Sequence, residues 1–69
     1  MMYNPFKWHI INVYDKYLIR RLNLTLGWLY ADKETPFEWF TMDHAIQRAS
    51  FDDIASARKR KDSLKVEVI

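Results

Sequence analysis

The chain has no cysteine, a single glycine and only two prolines. Without cysteine there is neither a disulfide to staple the fold nor a CxxC knuckle to hold zinc, and a reducing compartment suits it. Histidine offers no substitute, because His9 and His44 stand alone, with no HxH or HxxxH spacing. One glycine cannot build a glycine-rich phosphate loop. No apolar run approaches the roughly 20 residues that cross a bilayer. The opening MMYNPFKW lacks the charged start and continuous apolar block of a secretory signal. These absences predict a soluble cytoplasmic protein with no metal, no other cofactor and no membrane contact.

Aromatic side chains are what the sequence has in quantity. Four Phe, three Trp and four Tyr make up 16% of 69 residues. A chain this short forms one domain, residues 1–69, and buries only about 60% of the surface its unfolded form exposes. The aromatics must therefore supply the core, or a second copy of the chain must complete it as a homodimer. The net charge of +2 is unevenly spread. Residues 1–57 carry six basic and seven acidic groups, whereas 58–69 carry five and two.

The densest apolar stretch is KYLIRRLNLTLGWLYAD, residues 16–32. Read at a period of two, Leu18, Leu22, Leu24, Leu26, Trp28 and Tyr30 share a face, interrupted by Arg20. Gly27 costs roughly 1 kcal/mol inside a helix, and Asn23-Leu24-Thr25 is weak in helix propensity. Two strands, about 17–22 and 26–31, are expected, with a single helix over 16–31 as the alternative. Trp28 is assigned to the core beside Leu22, Leu24 and Leu26.

Elsewhere, β-branched and aromatic residues make 7–14 a strand, joined by a tight Asp15-Lys16 turn to the next. Residues 31–36 read as a loop and 37–41 as a short strand. Residues 42–50 fit either two helical turns capped by Asp43 or another short strand. Ser50 or Asp52 can cap a helix over about 51–61, packed through Phe51 and Ile54 with small alanines allowing close approach. Alternation in Leu64–Ile69 suggests a last strand. The expected fold is α+β: a small antiparallel sheet of four to five strands with one helix packed on one face.

Lys16, Tyr17, Arg20 and Arg21, then Gly27, Trp28, Tyr30 and Asp32, then Trp39, and finally Ala49, Phe51, Asp52 and Ala55 form a spaced pattern. It resembles small uncharacterised phage-encoded accessory proteins, over about two-thirds of the chain. Asp53 and Ile54 stand where that pattern has Thr or Glu. The resemblance implies a protein that binds and inhibits a host or antiviral-defence protein in the host cytoplasm.

No catalytic constellation emerges. Asp43, His44 and Ser50 are the residue types of a hydrolytic triad, but nothing provides a nucleophile elbow. Aromatics in excess of one sheet face, beside arginines, suit a protein-binding surface, and Tyr17, Arg20, Arg21, Trp39 and Phe40 are its candidates. The alternative is a nucleic-acid contact through Arg58, Lys59, Arg60, Lys61 and Lys65, extended by Arg20, Arg21 and Arg48. The expected function is a non-enzymatic protein-interaction module. On that reading, replacing Arg58, Lys59, Arg60 and Lys61 by Gln leaves the fold and the activity intact. The loss is at most about 1 kcal/mol per cation at the helix end, measurable by chemical denaturation.

Overall fold

Two tight connections lay down the sheet. In the computed structural model, which describes residues 4–64, β1 (His9–Val13) and β2 (Lys16–Asn23) are joined by Tyr14 and Asp15 alone. Both have left-handed φ, 51° and 63°, as a type I′ turn requires to match the twist of its strands. The turn lies one residue earlier than expected, because Lys16 already pairs with Val13. The β2–β3 connection is Leu24–Leu26, with β3 spanning Gly27–Ala31. The Asn23 carboxamide oxygen accepts from Thr25 N at 2.9 Å and Leu26 N at 3.0 Å. Gly27 then turns the chain back at φ +83°. Residues 16–31 are thus two strands and not one helix.

β4 (Glu38–Trp39) completes an antiparallel meander in the order β1-β2-β3-β4. Register sorts the side chains, since neighbours along a strand point to opposite faces. Ile11, Val13, Leu18, Arg20, Leu22, Trp28, Tyr30 and Trp39 share the first face; Ile10, Asn12, Tyr17, Ile19, Arg21, Leu29, Ala31 and Glu38 share the second.

Both faces carry a helix, where one was expected. Helix α1 (Met42–Arg48) is capped by Thr41, whose hydroxyl accepts from His44 N, so Asp43 is not the cap. It lies on the first face, where Ala45 is buried against Leu18 and Tyr30 amid Ile11, Val13, Trp39 and Ile46. Helix α2 (Ile54–Ser63) is capped by Asp53, which accepts from Ser56 N at 2.9 Å. It starts later than the Ser50 or Asp52 caps allowed. It packs on β1 and β2 across the second face, where Ile19, Leu29 and Ala31 are buried. The close approach comes from Ala57, fully buried, while Ile54 stays 40% exposed.

Phe51, expected inside that helix, sits in the plane of the sheet. Tyr17 N donates to Phe51 O at 2.9 Å and Phe51 N returns the bond to Tyr17 O at 2.8 Å. Asn12 of β1 occupies the other side of Tyr17, so Phe51 takes the place beside β2 that β3 has vacated. The chain passes there from one face to the other. Leu64 ends α2, and the strand expected beyond it lies outside the described residues.

The left-handed positions generate opposite predictions from one rule. An L side chain there costs roughly 1–2 kcal/mol, and glycine gives back only about 0.4–1 kcal/mol of that through the unfolded chain. Asp15→Gly should stabilise the protein by up to about 1 kcal/mol and Gly27→Ala should destabilise it by about the same. Urea denaturation of the two variants measures both.

Candidate protein-binding surface

Large apolar side chains reach solvent at several places, among them Tyr14 in the β1–β2 turn and Phe37 and Phe40 on either side of β4. The end of the sheet that holds the β2–β3 hairpin carries Leu24, Leu26 and Phe6. The Asn23 lock leaves Leu24 88% and Leu26 58% exposed, against the expectation that both belong to the core face. The N-terminal segment runs alongside, since Leu22 N donates to Pro5 O at 2.7 Å. Asn4 bends that segment by accepting Phe6 N on its side chain at 3.0 Å. Phe6 is thereby brought, 42% exposed, to a shallow depression of about 440 Å³ shared with Leu22 and Leu24.

Behind this tip, cation and indole are stacked on each face. On the first face the Arg20 guanidinium lies 3.9 Å from the Trp28 ring centre, a geometry worth roughly 0.5–2 kcal/mol. Arg20 Nε donates to His9 Nε2 at 3.2 Å, and His9 Nδ1 lies 3.0 Å from Lys7 O. The tautomer with its proton on Nδ1 satisfies both contacts. His9 also meets Trp28 edge-on at 5.9 Å. Trp28 is half-buried at the margin of the core. On the second face Arg21 donates from Nε and from a terminal nitrogen to Glu38 Oε1 at 3.2 and 2.9 Å, and stacks over Trp8 at 5.1 Å.

The five residues expected to form one binding surface are therefore not brought together. Arg20 and Arg21 face opposite ways, and Tyr17 is half-buried beside its bridge to Phe51. Trp39 is half-buried against the core cluster, donating from Nε1 to Asp32 Oδ1 at 3.1 Å. Phe40 alone among them is well exposed, at 60%. The two-strand division expected from the sequence is what the structure shows, but the period-two alternation carries Leu24 and Leu26 onto the core face, which hides the tip they form with Phe6. The Asn23-to-Gly27 spacing, which suits a three-residue connection, was the signal that could have revealed it.

The basic run is divided as well. Arg58 and Lys59 are exposed, whereas Lys61 is half-buried beside β1. Arg60 is structural: it donates to Asp32 O at 3.0 Å, Thr35 O at 2.8 Å and Ser63 Oγ at 3.1 Å. A fourfold Gln replacement would thus remove a fastening of the β3–β4 loop, which corrects the expectation that the fold ignores it. Arg48 ends α1 on the opposite face, and Lys65 lies outside the described residues. Asp43, His44 and Ser50 do not converge. His44 Nδ1 lies 2.8 Å from Thr41 Oγ1, and Ser50 Oγ donates to Ile46 O at 2.7 Å. Among the described residues no three metal-ligating side chains gather. No family model matches the chain, and no curated protein and no solved structure matches it significantly.

Three carboxylates are held below their ordinary value of 3.8. For Asp32 the main cause is the Thr35 hydroxyl at 2.6 Å, then the Trp39 indole. For Asp52 it is hydrogen bonding from Lys16, with which it also forms an exposed ion pair, and for Asp53 the Ser56 amide. A carboxylate whose folded pKa is depressed stabilises the fold above its unfolded pKa and loses that contribution as pH falls through the folded one. Stability should therefore be level above about pH 4 and decline on further acidification. Asp32→Asn keeps the Trp39 bond and can reverse the Thr35 one, its amide nitrogen donating to the hydroxyl. Losing the charge should cost about 1 kcal/mol at pH 7 and should make the acid decline shallower in denaturation curves recorded from pH 7 to 2.

Proposed function

We propose that this chain is a non-enzymatic protein-interaction module that grips its partner with the β2–β3 hairpin tip. The observation that carries the reading is Leu24, 88% exposed on a loop locked by Asn23, with Leu26 and Phe6 beside it. A rigid, apolar projection binds with little ordering cost. Large aliphatic side chains held out in water call for a partner to cover them. The Arg20–Trp28 and Arg21–Trp8 stacks stiffen the strands that carry the tip. The resemblance to phage accessory proteins suggests the class of partner, a host or antiviral-defence protein inhibited in the host cytoplasm by occupation of its surface.

The basic run competes weakly with this reading. With Arg60 engaged, Arg58, Lys59 and Lys61 are the described cations of the run left to meet phosphate. Three such contacts predict a salt slope of only about −2.7.

Leu24→Asp with Leu26→Asp buries no charge and should stay within about 1 kcal/mol of the parent in a thermal melt. Tagged protein in an infected-cell lysate should then lose the partner that the parent captures, whereas Lys59→Gln should keep it. Capture by the folded aspartate variant would sink the assignment. So would activity that tracks salt-sensitive retention on heparin.

A further inference from the structure

The two edges of the sheet are treated differently. β4 is two residues long, follows Pro36 and contains Glu38, the usual devices that keep an edge from pairing with foreign strands. β1 has none of them. Its five residues, HIINV, include neither proline nor any Asp, Glu, Lys or Arg, and among the described residues no strand lies beyond it.

The hydrogen bonds determine which of its groups face outward. Tyr17 gives both backbone groups to Phe51, so it has none for Asn12, which stands opposite it in β1. Alternation in an antiparallel ladder then turns the N–H and C=O of Asn12, and of Ile10 two residues earlier, away from β2. Beside this edge α2 leaves a groove of about 470 Å³, where Ile10 and Tyr17 meet Ile54, Arg58 and Lys61. Among the described residues, Arg58 and Lys61 form no ion pair and Asp62 is the single carboxylate lining the groove.

We propose that the outer edge of β1 takes an extended acidic peptide of a partner as a fifth strand. Ile10 and Asn12 supply main-chain bonds, apolar side chains of the peptide enter against Ile54, and its carboxylates meet Arg58 and Lys61. Charge favours this occupant over a second copy, because two-fold pairing of β1 with itself would bring both pairs of cations to the same side of the extended sheet. The site is separate from the hairpin tip and stands or falls independently of it.

The test uses the full chain, ¹⁵N-labelled, and a fluorescent peptide of alternating Glu and Val. Titration should shift the Ile10 and Asn12 amides and slow their exchange with deuterium, and a Lys–Val peptide should do neither. Asn12→Pro removes an outward donor that the fold does not use, and should weaken binding about tenfold. Arg58→Glu with Lys61→Glu should reverse the preference between the two peptides. The proposal is overturned if folded Asn12→Pro binds as the parent does, or if single-stranded DNA shifts the same amides and the peptide does not. It is also overturned if both amides are already protected without peptide. Protection that grows with protein concentration would then assign the edge to a second copy, and protection independent of it to residues 65–69.

Discussion

The arrangement of this protein depends on the paired hydrogen bonds between Tyr17 and Phe51. A sheet with both faces apolar needs a cover on each, and a chain that has placed α1 on one face must get past the sheet to place α2 on the other. It does so where β3 has stopped and β2 continues. An unpaired backbone at that crossing would leave polar groups unsatisfied next to the core. Phe51 meets this by becoming, for one residue, part of the sheet. Asp52 reaches Lys16 just beyond it, and Asp53 caps α2. Crossing, ion pair and helix start thus follow one another within three residues.

The meander has a second consequence, since adjacent arginines on a strand cannot work together. Arg20 and Arg21 look like a basic pair in the sequence, yet each is matched to a different indole on a different face. Their engagement with Trp28 and Trp8 leaves the apolar hairpin tip, and not the charge, as the prominent feature at that end. Arg60 behaves likewise. It reads as one cation of four, but its guanidinium binds two backbone carbonyls of the β3–β4 loop, which also holds the Thr35–Asp32–Trp39 chain of hydrogen bonds.

What was legible in the sequence was local. β-branched residues marked β1, alternation marked β2 and β3, and the α+β class followed. Tertiary geometry accounts for the rest. Asp15 tolerates positive φ but Tyr14 does not favour it, so the sequence does not announce a type I′ turn at Tyr14-Asp15 and points to Asp15-Lys16, one residue late. Asn23 and Gly27 mark the interruption between β2 and β3, but Leu24 and Leu26 keep perfect alternation with Leu22 and Trp28, so the sequence puts on the core face two side chains that the loop turns to solvent. Thr41 was overlooked as a cap beside the more obvious Asp43. The alanines of α2 are expected from the sequence to allow close approach, as Ala57 does, whereas Ala45 carries no such signal and yet lets α1 approach the sheet closely. The surface expected from Tyr17, Arg20, Arg21, Trp39 and Phe40 combines residues from both faces of the sheet, which no linear reading separates without the register.

Each strand of the sheet lies beside its neighbour in sequence, and that order bears on how the chain finds its fold. Pairings between successive strands close short loops, whose entropy is small, and low contact order goes with rapid folding. The meeting of Tyr17 with Phe51 closes a much longer loop, one that spans β3, β4 and α1. The meander can therefore assemble early from local contacts, while α2 is secured late, when the crossing closes. A stalled ribosome or a truncated message would yield a sheet with one bare apolar face, prone to self-association.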